Sequence, residues 1–398
     1  MGISADVRAH SFCEGDEVPT ELVVRIEEAG LGPDAQVRLV LSGFVDLERL
    51  YRPWAASGST LHRDGDRIRA TTTPEALTRA VGRTLGAEAA KDVARVLHRA
   101  VAAWAGPAPD VPLPGAGTLG CGGRPLVMGI LNVTPDSFFD GGALYPAPDP
   151  HGHPETAIAA GEALVASGAD VLDVGGESTR PGSQAVDQNE ELDRVVPVVR
   201  GLGRTGVPIS VDTTKPAVAD AACAAGASIV NDVSGAQHEE LLAVAADRDA
   251  AYVLMHTRGT PASMPDLTDY DDVVAEVYEF LAGGLERCAA AGIPAERVLV
   301  DPGIGFAKTP ESSFALMAAL RQFRGLGRPV LVGASRKSFL RLADHSDEPG
   351  QRLESSLASA VAATLAGAAV LRVHDVAETV RAVATAHAIA TAGGSAQG

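Results

Sequence analysis

The chain has 398 residues, 46% of them hydrophobic and only 21% charged, a composition that excludes intrinsic disorder. Its 33 Lys and Arg stand against 51 Asp and Glu, a formal net charge of -18, which argues against a general binder of nucleic acid or anionic membrane. With aromatics at 4%, the core must be built from Ala, Val, Leu and Ile. Cys13, Cys121, Cys223 and Cys288 lie far apart with no CxxC or zinc spacing, as expected for reduced, mostly buried thiols in a cytosolic protein. The opening MGISADVRAHSF has no basic stretch followed by an apolar run, so a secretory signal is not expected. No apolar run approaches the roughly 20 residues of a membrane span. A cytoplasmic location is the expectation.

In chain order, residues 1–105 read as a small α+β domain. Strands are expected over 21–26 and 36–41, a hairpin around Asp64-Gly65, and helices over 74–85 and 87–104. No catalytic constellation stands out there, and an accessory or assembly role is the expectation. Residues 106–117, GPAPDVPLPGAG, read as a proline-stiffened linker. From 118 to 398 the pattern changes: short, nearly continuous apolar runs alternate eight times with Ala-rich helical stretches. The runs end at Leu131, Gly175, Val211, Val230, Met255, Val300, Gly333 and Val373. Such runs suit parallel strands buried on both faces, and eight β-then-α units predict a (β/α)8 TIM barrel. The intervening helices open on caps or prolines such as Lys215-Pro216 and Thr309-Pro310.

The catalytic mouth of such a barrel is built just past the strand ends. Those positions hold Asn132, Asp173, Asp212, Asn231, His256, Asp301, Ser335 to Lys337, Arg372 and His374. One Asp or Asn after a strand is ordinarily a cap or turn former; polar groups at all eight ends are a site. Asp212, Asn231 and Asp301 offer donor and acceptor edges for a flat heterocycle bearing amide and amino groups. Arg372, His374 and Asn132, with the Gly-rich loops at Gly175-Gly176 and Pro181-Gly182, suit a phosphate-like anion and a cation. The residue types therefore point to a nitrogen heterocycle carrying a phosphate ester.

The motifs themselves resemble the dihydropteroate synthase family. They are MGILNVTPDSFFDGG (128–142), DVGGESTRPG (173–182), SVDTTKP (210–216), NDVSG (231–235), LMH (254–256), DPGIGFAKT (301–309), GASRKSF (333–339) and RVHDV (372–376). They stand in family order across about two-thirds of the chain. The resemblance implies a (β/α)8 barrel and a transferase of folate biosynthesis. That enzyme condenses 4-aminobenzoate with (7,8-dihydropterin-6-yl)methyl diphosphate, with Mg²⁺, and works as a homodimer. It also implies the residue roles. Asp212, Asn231, Asp301 and Lys337 would line the pterin pocket, while Asn132, Arg372 and His374 would hold the diphosphate, Asn132 as the metal ligand. Asp140 would stabilise a cation-like pterin methylene. Thr179, Arg180, Pro181, Phe138, Phe306 and Ser338 would shape the aminobenzoate site, and the first two loops would act as lids. Asp140, Lys337, Arg372 and His374 are the expected catalytic set.

Three positions depart from the family pattern: Phe139 where Ser is common, Thr257 where Met is common, and Ala307 where Gly often stands. The first loop is extended by ALYPAPDPHGHP (143–154); its His151 and His153 lack a partner at metal-site spacing and read as solvated. Three rival readings are weaker. A phosphate-loop NTPase fails because Ala307, not Gly, precedes Lys308. A pterin-binding methyltransferase needs neither an aminobenzoate site nor diphosphate ligands, and a non-catalytic homologue has no need of the full motif set.

Overall fold

The computed structural model describes residues 23–29, 36–42, 54, 59–64, 67–85, 87–115, 117–134, 154–178 and 185–392. Strands β1 (Val23–Ala29), β2 (Val37–Ser42), β3 (Thr60–Asp64) and β4 (Arg67–Thr72) form an antiparallel sheet in the order β1-β2-β4-β3. The helices Pro74–Leu85 and Ala87–Ala105 follow. Alternation along β2 and β4 turns Val37, Leu39, Leu41, Ile68 and Ala70 into one core with Leu77, Val81 and Leu97. β3 and β4 pair from Asp64 opposite Arg67, as the Asp-Gly turn predicts; Gly65 itself lies outside the described residues.

This sheet is docked on the rest of the chain through its polar face. The Tyr278 hydroxyl donates to the carbonyl of Val24 at 2.9 Å. Arg67 makes a two-pronged pair with Glu279 at 3.0 and 2.9 Å. Arg25, only 4% exposed, donates to Gln322 at 2.8 Å.

The segment read as a stiff linker is different. Val111–Leu113 (β5) and Gly117–Leu119 (β6) pair as an antiparallel hairpin. Val111 and Leu113 are buried while Pro112 between them is exposed, a period of two that the surrounding prolines disguise. Val111, Leu113, Leu119 and Cys121 pack against Met128, Val171, Ile229, Ala251, Leu331 and Val370, residues at or near the beginnings of the large sheet's strands. The hairpin is the floor of the barrel.

That barrel comprises β7 (Leu126–Asn132), β8 (Val171–Gly175), β9 (Ile209–Asp212), β10 (Ile229–Asp232), β11 (Ala251–Met255), β12 (Val298–Asp301), β13 (Leu331–Val332) and β14 (Val370–Val373). All neighbours are parallel in the order β12-β11-β10-β9-β8-β7-β14-β13, and a parallel bridge between Val300 and Val330 closes the ring. All eight expected strands are present, separated by helices. Thr309 caps the helix Pro310–Ala318 by accepting from Ser312 N, with Pro310 in its first turn. Lys215 and Pro216 open the helix Pro216–Ala225 in the same place, without a side-chain cap. Cys121, Cys223 and Cys288 are free, their thiols pushed up by burial to about 12, 11 and 12. Among the described residues no helix is long and apolar enough to cross a membrane.

Leu119 is 4% exposed within the floor cluster, so Leu119→Ala is expected to cost about 2–4 kcal/mol in urea denaturation. A loss under about 0.5 kcal/mol, the range of surface substitutions, would show that the hairpin carries no weight.

Candidate active site

Parallel register brings the candidate residues together. Asn132 on β7 pairs with Gly175 on β8, Gly175 with Asp212 on β9, and Asp212 with Asn231 on β10. Four adjacent strands thus present one row at the mouth. Gly175 stands between its neighbours in the row: a Cβ there would lie in ordinary contact, 3.4 Å from the Asp212 side chain and 3.8 Å from Asn132 Oδ1.

The row is locked from the strand next to β7. Arg372 on β14 donates from Nε to Asp173 at 2.6 Å and from Nη2 to Asp212 at 2.7 Å. Asn231 Nδ2 donates to the same Asp173 oxygen at 3.1 Å. Asp173 is fully buried, and its other oxygen, like Asp212 Oδ1, has no hydrogen-bond partner among the described residues. Burial pushes the Asp212 carboxyl up to about 7, with Arg372 opposing that rise and Asp173 adding to it. The site therefore offers two desolvated acceptors beside an amide that can both donate and accept.

A second group gathers on the neighbouring strand ends. Asp301 closes β12 and accepts from Gly303 N at 2.7 Å; burial raises its carboxyl, opposed chiefly by Lys337. Lys337 donates to the Ile304 carbonyl and lies 4.5 Å from the centre of the Phe306 ring. Burial lowers its ammonium to about 8 against the pull of Asp301. A Cβ on Gly333 would lie 3.8 Å from Arg372 and 3.9 Å from Lys337 Nζ, so both cations flank this glycine. His374 Nδ1 lies 3.1 Å from the Ser335 hydroxyl. Ser338 is exposed at the start of the short helix Ser338–Leu340.

Asp212, Asn231, Arg372 and Asn132 thus form one group, Asp301, Lys337 and Phe306 another, and His374 stands with Ser335. Arg372, expected on the diphosphate, has its guanidinium between two carboxylates. Phe138, Asp140, Thr179, Arg180 and Pro181 lie outside the described residues, as do Phe139 and the loop histidines. Asp173 received no role from the sequence, although a carboxylate inside the apolar run VLDVG was the available signal. A second missed group lies on the third-strand side. Lys215 is ion-paired with Glu177 and with the fully buried Glu191, and so ties the loop after β8 to the helix Gln188–Leu202.

Ala307 shows why glycine often stands at its position. Its φ is +49°, in the left-handed region that costs a side-chain-bearing residue about 1 kcal/mol or more.

The description "Pterin binding enzyme" belongs to the family whose model matches residues 128–374. The chain is 44% identical over 268 residues to the dihydropteroate synthase of Synechocystis sp., covering 67% of this chain and 90% of that one. It is 46% identical over 258 residues to that of Mycobacterium leprae, covering 63% and 88%. Among solved structures, Yersinia pestis dihydropteroate synthase with a sulfonamide drug complex aligns at a TM-score of 0.66 and 41% identity, over 71% of this chain and 99% of that one. The Xanthomonas albilineans enzyme with 4-aminobenzoic acid aligns at 0.64 and 44%, covering 71% and 98%. The same enzyme in complex with 7,8-dihydropteroate aligns at 0.62 and 42%, with the same coverage. By this family match and these relatives, the chain belongs to the dihydropteroate synthase family of pterin binding enzymes.

Proposed function

We propose that the chain condenses 4-aminobenzoate with (7,8-dihydropterin-6-yl)methyl diphosphate, giving 7,8-dihydropteroate and diphosphate. The observation that carries this reading is the pair of buried, unpartnered carboxylate oxygens on Asp173 and Asp212 beside the Asn231 amide. A pterin edge has amino and ring N–H donors for those acceptors and a carbonyl for the amide. A heterocycle lacking them leaves buried charge unpaired, a penalty of about 1–3 kcal/mol per group. The ligands of the Xanthomonas albilineans relatives support the same substrates.

In this reading Asp212, Asn231 and Asp301 orient the pterin, and Lys337, beside Asp301, lines the same pocket. When the methylene C–O bond breaks, its electron pair leaves with the diphosphate. The aminobenzoate nitrogen forms the new C–N bond and then loses a proton. Arg372, His374 and Lys337 set positive charge and donors where the leaving group gains negative charge. Asp140 would stabilise the cation-like methylene, and Phe138, Thr179, Arg180, Pro181, Phe306 and Ser338 would shape the aminobenzoate site. We keep Arg372 in the diphosphate role on the premise that substrate draws it from Asp212.

Magnesium is part of the proposal. Asn132 supplies one neutral oxygen in the same row as Asp212, and among the described residues no three His, Cys, Asp or Glu side chains gather as a metal cage. That donor set fits Mg²⁺, which usually takes one or two protein oxygens and completes its shell with substrate phosphates and water. Bound there, it supplies positive charge to the leaving phosphates.

Residues 1–105 are proposed as an accessory domain carried by the 118–398 barrel, and the protein as cytoplasmic. A homodimer is also proposed. Leu365 and Ile389, 50% and 68% exposed on the last two barrel helices, support it as apolar contacts.

Purified chain with both substrates and Mg²⁺ is expected to form dihydropteroate, detected by mass; no product refutes the reading. Lys337→Ala is expected to lower kcat/KM for the pterin substrate by about a hundredfold with an unchanged circular dichroism spectrum. Near-normal kinetics would remove Lys337 from the site.

The Asp212 carboxyl adds a pH dependence. Its folded value of about 7 lies above the roughly 3.9 of an unfolded aspartate. The native state therefore holds the proton more tightly, and Asp212 stabilises the fold less as pH rises across that window. Pterin binding runs the other way, because the acceptor is complete only when ionised. Calorimetric affinity for a pterin fragment is expected to rise through about pH 7 and to lose that rise in Asp212→Asn. An unchanged slope in the variant would assign the titration elsewhere.

A further inference from the structure

Lys308 has no role in the chemistry above, yet it is 8% exposed on a loop at the mouth. It stands on the loop after β12, and its Nζ donates to the Phe306 carbonyl at 2.8 Å and lies 2.9 Å from His256 Nδ1. His256 is 2% exposed, edge-on to Phe280 at 4.7 Å. Burial and the nearby Lys308 hold its imidazole down at about 2, so the ring is neutral. Its Nδ1 then accepts from Lys308, which puts the ring proton on Nε2.

Two further contacts hold the same loop. The Tyr270 hydroxyl donates to the Ala307 carbonyl at 2.9 Å. Gly303, at φ +66°, lies so close to His256 that a Cβ would come within 2.0 Å of its carbonyl oxygen. The loop after β12 is therefore hydrogen-bonded to the one after β11 at two points, with Gly303 packed close against His256. Between those points it offers Lys337 a carbonyl at Ile304 and a ring at Phe306. Lys337 thus rests on a loop that Lys308 fastens down.

We propose that Lys308 is a positioning residue: its bonds to His256 and to the Phe306 carbonyl hold the segment 304–307 in the shape that seats Lys337. The proposal rests on the reading of Lys337 as a pterin-site group, and its test is chosen to be independent of turnover. Without Lys308 the segment loses two hydrogen bonds, opens more often, and leaves the Lys337 amine more accessible.

The chain has only four lysines, Lys91, Lys215, Lys308 and Lys337, so labelling with an amine-reactive sulfonate can be followed site by site by peptide mass. In Lys308→Met, whose apolar side chain keeps the length but not the donors, Lys337 is expected to label about tenfold faster. Lys215, held by its own ion pairs, is the internal control and should be unchanged. The same variant should raise KM for the pterin substrate more than it lowers kcat. A Lys337 rate within about twofold of the parent, with Lys215 also unchanged, overturns the proposal whether or not the chain makes dihydropteroate. If Lys215 labels faster as well, the variant has unfolded, and Tyr270→Phe, which removes a different fastening of the same loop, decides in its place: faster labelling of Lys337 alone supports the proposal and none overturns it.

Discussion

Arg372 between Asp173 and Asp212 is the interaction on which the mouth depends. Asp173 is fully buried and Asp212 nearly so, and two carboxylates this close repel each other and lack solvent. The guanidinium joins them from β14, two strands from β8 and three from β9. Removing one partner of such a buried group typically costs about 3–5 kcal/mol, because the other charges are left uncompensated. Meanwhile each carboxylate keeps one oxygen unspent. The clamp keeps the acceptors ionisable while leaving them hungry for donors, which is what a recognition site for a hydrogen-bonding heterocycle requires.

Much of this is legible in the sequence, because strand-end chemistry in a barrel is local along the chain. A buried parallel strand is an unbroken apolar run, and the residue after it faces the mouth, so Asp212, Asn231 and Asp301 could be placed by counting. What could not be read was long-range or hidden in composition. The hairpin at Val111–Leu119 was lost among prolines although Val111 and Leu113 alternate correctly. Arg372 could be put at the mouth, but not between Asp173 and Asp212, which precede it by 199 and 160 residues. Lys308 lies 52 residues from His256, and nothing at either position announces the other. The docking of Arg25 and Arg67 onto the barrel, and of Tyr278 onto β1, is equally silent, because such polar residues look like ordinary surface.

The acidic total of -18 and an anionic substrate are reconciled by placement. Lys337 and Arg372 flank Gly333, where low accessibility strengthens their field, and many of the acidic side chains lie away from the mouth on the helices and loops around the barrel. Net charge describes the surface; the site is set by two cations and the carboxylates that hold them.

The floor hairpin has a consequence for where this chain can be cut. Its family resemblance begins near residue 128, which invites a shortened form starting just upstream. Such a form would leave Met128, Val171, Ile229 and Val370 without Val111, Leu113 and Leu119, an open-bottomed ring with apolar residues facing water. It would also bare Tyr278, fully buried beneath β1. The catalytic unit, as a physical object, starts before its recognisable sequence does, and part of its lower wall is made of the stretch that joins it to its neighbour.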